Sequence, residues 1–416
     1  MASCRRKVIG CDNPESPMTL AKLEDLTLDG EHVAIEDIAT FMGKQGHEYS
    51  VLNVDFEKEL MILVRTGGGV NLKTAPFVYR AQRRHALEVL CIPFADLDKV
   101  EPVIAPRVSS VTNVFLHNTG RCGSTLLCKA LENLSTIQGI SEPSLLTSIG
   151  AVGRIRTDKN TVIESLNNAV KMSYTELVKI TRIGIMLLNN FFISRAPSKT
   201  TICYKTTAET IFGAEILQDA IPSSKTIYLY RSCYAVNESI ARIFTHNSYF
   251  LYWLITTLRL DTFLLQRLKT PEIDFKGSWS SKYHKVPFPR DFIWNFTHYW
   301  WMTVEKAVSL TKRDPSRFFH AILHYEDLRK QKESLVLKVA LRLGLLPEGD
   351  RSRELAAVTK AFKANSQSGV ALESKRRVDD VGDVWFGEWE RACIDKVLQH
   401  LGEDVTDGDF RLHGTL

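Results

Sequence analysis

The feature that most constrains the fold of this 416-residue chain is an alternation, from about residue 110 onward, of short apolar runs with helically spaced apolar residues. Residues 114–116 read as a strand; a glycine-containing turn follows, and then Leu126, Leu127, Ala130, Leu131 and Leu134 fall at helical spacing. The order repeats with a strand over 201–204, a helix over 211–220, a strand over 226–230 and a helix carrying Val236, Ile240 and Phe244. Further on, 292–311 reads as a long aromatic helix, 319–323 as a strand, and 335–343 as a helix closed by Gly344. Successive strands separated by helices pair in parallel, because each crossover returns the chain to the same end of the sheet. The expectation is an α/β domain over 106–416, with a central parallel sheet flanked by helices.

The first hundred residues have another texture. Residues 52–56 alternate, 60–64 form an apolar run, and 77–79 and 87–92 look like further strands, which together predict a small β-rich unit over 1–105. Gly67-Gly68-Gly69 fits a turn between strands better than a phosphate loop, since no helix start follows. Pro102, Pro106 and the Ser109-Ser110 pair mark a boundary near residue 105.

Composition narrows the class of partner. Fifty-three basic against 48 acidic residues give a net charge of +5, too mild an excess for nucleic acid but sufficient for a small polyanion. The N-terminus, Met1-Ala-Ser-Cys-Arg-Arg-Lys, lacks an apolar run after its charges, so a cytoplasmic protein is expected. The apolar stretch 249–268 is broken by Arg259 and Asp261 and is expected to be a buried helix, with no membrane span. Eight cysteines include no CxxC pair and no cluster at zinc-ligand spacing, so no metal site is expected.

The strongest local signal is the loop His117-Asn-Thr-Gly120-Arg121-Cys122-Gly123-Ser124-Thr125. It joins a buried strand to a helix start, where unpaired backbone N–H groups and the helix dipole favour an anion. Gly120 and Gly123 allow close backbone approach, Arg121 supplies a fixed positive charge, and Ser124 and Thr125 offer hydroxyl donors. A nucleoside-triphosphatase loop would need a lysine before Ser124 and an acid at the end of another strand. Neither is present, because 226–230 ends at Arg231, and a divergent phosphoryl-transfer enzyme is disfavoured.

The segment Gly120-Arg-Cys-Gly-Ser-Thr-Leu126 resembles the Gly-Arg-Ser-Gly-Ser/Thr-Thr-Leu loop of the sulfotransferase family, departing from it at Cys122. A second segment, Tyr228-Leu-Tyr-Arg231 with Ser239 eight residues on, is similar to that family's strand-end arginine and following serine. A third, His324-Tyr-Glu-Asp-Leu328, resembles its Tyr-Glu-Asp-Leu segment, with a structural role expected. The basic run Lys375-Arg376-Arg377, ahead of Gly382-Asp-Val-Trp385, loosely resembles a C-terminal donor-binding loop, though a solvated charge cluster explains it nearly as well. The resemblance spans about three quarters of the chain. It implies a P-loop-like sulfotransferase fold and, as co-substrate, 3′-phosphoadenosine 5′-phosphosulfate (PAPS). It assigns Gly120 to Thr125 to the 5′-phosphosulfate, and Arg231 with Ser239 to the 3′-phosphate.

Sulfuryl transfer needs a general base for the acceptor and a positive site for the leaving phosphate. Arg121 fills the second role. For the first, the family's small-molecule branch uses a histidine after Lys-Thr; here Lys205-Thr206 is followed by Thr207. The tyrosylprotein branch uses a glutamate after the first helix, and Glu142 in Ile140-Ser-Glu-Pro143 resembles it. Glu142 is the candidate base; its alternative is a loop carboxylate paired with a lysine or arginine. His117, His246 and His298 remain open as other bases. The acceptor is expected to be a small molecule, and Trp279, Trp294, Trp300 and Trp301 either line its pocket or belong to the core. The reading from a different class is a catalytically idle sulfotransferase-like module that binds a nucleotide.

Overall fold

A computed structural model describes residues 2–12, 22–155, 172–261, 291–346, 351–363, 384–402 and 404–416. Among the described residues ten strands form two five-stranded sheets. Contacts divide the chain into one unit of Met1–Phe115 with Leu131–Lys225 and another of Leu116–Ala130 with Thr226–Leu416.

The first unit opens with an antiparallel sheet of β1 (Cys4–Cys11), β2 (Leu26–Ala34), β3 (Ser50–Asp55), β4 (Leu60–Thr66) and β5 (Ala86–Pro93), in the order β2-β1-β5-β4-β3. The run Leu60-Met-Ile-Leu-Val64 is continuously apolar because both faces of β4 are covered. Leu60, Ile62 and Val64 pack with Val8, Leu52 and Val89, whereas Met61 and Leu63 join the larger core on the opposite face. Three strands fall where the sequence places them. β1 and β2 escape the pattern because they are polar and mostly unburied; of β1 only Val8 is buried.

Residues 77–79 are a correction: Phe77 is the extended residue that starts a helix, Val78–His85. Val78, Tyr79, Gln82 and Arg83 make its buried side. The Gln82 amide donates to Ser50 Oγ and to the Val51 carbonyl, both at 2.8 Å, and ties the helix to β3. Pro102 and Pro106, read from sequence as boundary marks, have a helical setting. They lie inside the helix Leu97–Val108, whose buried residues are Leu97, Val100, Ile104 and Val108.

The second sheet has the order β10-β9-β6-β8-β7. Its strands are β6 (Thr112–Asn118), β7 (Ile137–Ser141), β8 (Thr201–Lys205), β9 (Lys225–Tyr230) and β10 (Ala321–His324), with β7 parallel to β8 and β9 parallel to β10. This is the expected parallel sheet flanked by helices, with an antiparallel unit at the N-terminus. Strand β6 is central, with β8 on one side and β9 on the other, and the connections leaving the sheet there make its carboxyl end the place where such sheets bind ligands.

Around β7 and β8 the first unit packs three helices, Ser144–Ile155, Tyr174–Ser194 and Ala214–Ala220. Gly150 and Gly153 let the first of these approach the 3-10 turn Ala208–Gly213 so closely that a Cβ would sit 2.6 Å from the Glu209 carbonyl and 2.4 Å from that of Phe212. Ser173 and Glu176 form a capping box on Tyr174–Ser194. That helix is long and apolar enough to cross a membrane, yet 72% of its most apolar stretch is buried inside the protein. In the second unit, β9 and β10 are accompanied by Cys233–Phe244, Tyr249–Thr257, Asp291–Arg313, Tyr325–Gln331, Glu333–Arg342 and Glu388–Leu401. The described part of the 249–268 stretch is not the buried helix expected: in the helix Tyr249–Thr257 the buried positions are Tyr252 and Thr256, while Phe250 is 67% and Leu258 59% exposed.

Candidate functional site

Strand β6 is buried from Asn113 onward and delivers the chain into a turn held by its last residue. The Asn118 side-chain carbonyl accepts from the Gly120 N–H at 2.9 Å, while the Thr119 N–H donates to the Leu229 carbonyl of β9 at 3.3 Å. Gly120, Arg121 and Gly123 then have φ of 72°, 49° and 82°, a left-handed path that two glycines make affordable. Cys122, where the sulfotransferase pattern has serine, is buried and its thiol donates to the Leu229 carbonyl at 3.2 Å. The departure at Cys122 thus serves to lock the loop onto β9.

Helix Ser124–Glu132 begins at once. Leu127 N–H donates to the Gly123 carbonyl at 3.0 Å, so the amides of Ser124, Thr125 and Leu126 precede the first helical hydrogen bond and face the loop end. Gly123 is required twice. Besides its φ, a Cβ there would stand 2.6 Å from the Tyr325 ring.

Two guanidinium groups meet beside this loop. Arg121 Nε donates to Ser239 Oγ at 3.1 Å, and Arg231 Nη1 reaches the Arg121 carbonyl at 3.5 Å. Burial lowers the Arg121 pKa below its usual value, and the nearby Arg231 charge lowers it further. Arg231 lies over the Tyr325 ring at 4.5 Å, and its own carbonyl accepts from Trp300 Nε1 at 2.9 Å. Its Nε forms a loose ion pair with Glu326 at 3.8 Å, too far for a hydrogen bond, and has no hydrogen-bond partner among the described residues. Glu326 is shared with Arg329 at 3.1 Å. A partly buried pair of like charges with an unmet donor, beside free helix amides, is suited to hold an anion.

Of the residues expected from sequence, Gly120 to Thr125, Arg231 and Ser239 therefore stand together in the second unit. Lys375, Arg376 and Arg377, like Trp279, lie outside the described residues. Trp300 and Trp301 are buried core residues of Asp291–Arg313. Glu142 belongs to the first unit. It follows β7 with a φ of 52°, its N–H donates to the Lys205 carbonyl at 2.7 Å, and its carboxylate accepts from the Lys205 ammonium. Water has little access to this ion pair, whose side chains are 13% and 6% exposed. Phe77 lies 5.8 Å from the Lys205 nitrogen, and Tyr79 is raised to about 12 by burial and by the Glu142 charge.

Of the alternative bases, His117 is buried with neither ring nitrogen hydrogen-bonded among the described residues, and burial pushes its pKa down to about 4. His246 is exposed, and His298 stacks between Trp294 and Trp301 at 6.3 and 5.9 Å. Sequence reasoning missed Tyr325, Glu326 and Lys205 as neighbours of the candidate residues. The signal for the first two was the Tyr-Glu-Asp segment, for which only a structural role is expected.

A scan of the sequence against known protein families matches none, and no curated protein is similar to it with significance. Among solved structures the chain is similar to mouse sulfotransferase SULT7A1 complexed with PAP, at 14% identity over 72% of this chain and 90% of that one, with a TM-score of 0.36. It is also similar to sulfotransferase STF9 from Mycobacterium avium (11% identity, 91% of this chain, 100% of that one, TM-score 0.38). A third is sulfotransferase STF1 from Mycobacterium tuberculosis (12%, 64%, 78%, 0.33). At scores and identities this low, the site residues themselves have to carry a functional reading.

Proposed function

We propose that the protein is a sulfotransferase that moves a sulfuryl group from PAPS to a hydroxyl or amine of a small-molecule acceptor. The observation that carries this reading is the cluster of Arg121, Arg231 and Ser239 beside a loop whose glycines and helix amides are built for anionic oxygens. The residues fit such a donor: among the described residues Arg231 Nε has no hydrogen-bond acceptor, and a phosphate would supply one.

When bound, the donor supplies the sulfuryl group and a phosphate that leaves with negative charge. The amides of Ser124 and Thr125, the Ser124 hydroxyl and the Arg121 charge are the groups that meet that charge. Glu142 is the proposed base, taking the proton from the acceptor's O–H or N–H as its oxygen or nitrogen bonds to sulfur and the sulfur–phosphate oxygen bond breaks. Lys205 orients the carboxylate. Lys375, Arg376 and Arg377 are proposed to add charge on the nucleotide side, and the protein is proposed to act in the cytoplasm.

A second reading has its own observation. The Glu142 carboxylate is already engaged by Lys205, and Thr207, where the small-molecule branch has histidine, is occupied with Thr147 and Thr210 hydroxyls at 3.2 and 3.1 Å. A module that binds the nucleotide and does not turn over would look the same; PAPS turnover with a panel of phenols, alcohols and amines separates the two.

The decisive experiment is thermal unfolding with adenosine 3′,5′-bisphosphate, against ATP with Mg²⁺, on wild type and Arg231→Ala. At a hundred times the dissociation constant a ligand stabilises by about 2.7 kcal/mol. Stabilisation of wild type by the bisphosphate alone, lost in Arg231→Ala, is the expected result. Stabilisation by ATP alone would overturn the reading.

A further inference from the structure

We propose that Cys4 and Cys91 are a redox pair that hydrogen peroxide closes into a disulfide, fastening β1 to β5. The proposal is independent of the donor reading, since both residues belong to the N-terminal sheet.

Cys4 of β1 stands directly opposite Cys91 of the antiparallel strand β5. Opposed residues in such a pair have Cα atoms about 4.5–5.5 Å apart and side chains on one face of the sheet, inside the range of about 4.4–6.8 Å that a disulfide spans. Both thiols accordingly lie on the face packed around Val8, Leu52, Ile62 and Val89. The register is pinned at the residue before Cys4. Ser3 is buried, its hydroxyl donates to Asp96 Oδ2 at 2.8 Å, and its carbonyl accepts from the Ile35 N–H at 2.8 Å. On its other side Cys91 is paired with Ile62 of β4. The remaining cysteines of the described strands have no such partner, because Cys11 faces Leu26 and Cys203 faces Gly139.

The two thiols differ in access, which sets the order of steps. Cys91 is 5% exposed, and burial, with the Cys4 charge beside it, pushes its thiol up to about 12; Cys4 is partly exposed. Cys4 is therefore the sulfur that peroxide reaches. Its thiolate attacks one peroxide oxygen, the O–O bond breaks, and Cys4 becomes a sulfenic acid as the first water leaves. The Cys91 sulfur then attacks the Cys4 sulfur. The S–S bond forms, the S–O bond breaks, and the departing hydroxide takes the Cys91 proton as a second water. Two thiols are oxidised and one peroxide is reduced. In a reducing compartment the bond forms under peroxide and is undone by a dithiol. Of β1 only Val8 is buried, so backbone pairing does most of the holding of this strand. A covalent tie to β5, the middle strand of the sheet, opposes the peeling of β1.

The test is treatment of the full chain with hydrogen peroxide, then alkylation in denaturant, digestion and mass spectrometry. The expected result is a peptide pair joining Cys4 to Cys91 that dithiothreitol separates. In the oxidised protein, amide exchange over Cys4–Cys11 should slow by about tenfold or more. Cys4→Ser should abolish the cross-link and leave Cys91 as a free thiol. Full alkylation of both cysteines after peroxide would overturn the proposal, as would Cys4 recovered as a sulfinic or sulfonic acid, or joined to Cys11 instead. A Cys4–Cys91 cross-link with unchanged exchange in β1 would overturn the fastening role.

Discussion

Glu142 and Lys205 sit at the ends of neighbouring parallel strands, and the paired backbone register brings carboxylate and ammonium together. A carboxylate in this position is held in place by its partner, and for the proposed base its removal should cost far more in turnover than in binding. Glu142→Gln is expected to lower PAPS turnover by about 10² to 10⁴ while leaving bisphosphate binding unchanged; near-normal turnover would remove Glu142 from the chemistry. His117 makes a different prediction. Its pKa in the fold is near 4 against an ordinary 6.5, so the unfolded chain binds the extra proton and stability falls as pH drops from about 6.5 to about 4. The contribution approaches roughly 3 kcal/mol at the acid end. Melting temperatures of wild type and His117→Leu, measured from pH 7 to pH 4, should diverge, with the shallower decline in the variant. Parallel curves would contradict a neutral buried imidazole.

The strand, loop and helix from Thr112 to Glu132 work as one element. Its apolar ends were legible in the sequence, as were the glycines, because burial and a left-handed turn demand particular residue types. The sequence did not disclose the ring of Tyr325 pressed into the space above Gly123. Gly123→Ala should therefore fail on two counts, a φ of 82° costing about 1–2 kcal/mol and a methyl within 2.6 Å of a ring held beneath Arg231. The expected outcome is a clear fall in melting temperature together with loss of bisphosphate binding. Tyr325→Ala in the same chain relieves the clash but not the dihedral, so it should recover only part of the stability. The polar strands β1 and β2 were illegible for the converse reason. Such strands are defined by backbone pairing with their neighbours, and Arg5-Arg6-Lys7 carries no apolar alternation to announce it.

Across the molecule, the N-terminal sheet is tied to the β7–β8 region by a shared core. Val51, Met61, Leu63, Leu90 and Ile92 from the sheet lie in one cluster with Ile140, Leu145, Ile149, Ile183, Leu187 and Phe192. Each buried aliphatic side chain contributes about 1.5–3 kcal/mol, and a domain has only about 5–15 kcal/mol in total. Deleting residues 1–105 should accordingly yield an aggregated protein without a cooperative melt. A soluble, cooperatively melting 106–416 chain that binds the bisphosphate would instead establish that segment as an independent domain, the division that sequence texture suggests.

The sequence by itself determined the alternation of strands and helices, the glycine loop after β6, and the strand-end Arg231 with its following serine, since burial periodicity and turn sterics leave local marks. Tertiary structure alone decided that Arg121 bonds to Ser239, that Tyr325 carries Arg231, that Glu142 faces Lys205, and that the N-terminal sheet shares a core with the β7–β8 region. The Glu142–Lys205 and Arg121–Ser239 contacts join residues 63 and 118 positions apart in the chain. No local pattern of residues encodes them, because charge pairing and close packing depend on where the chain returns in space.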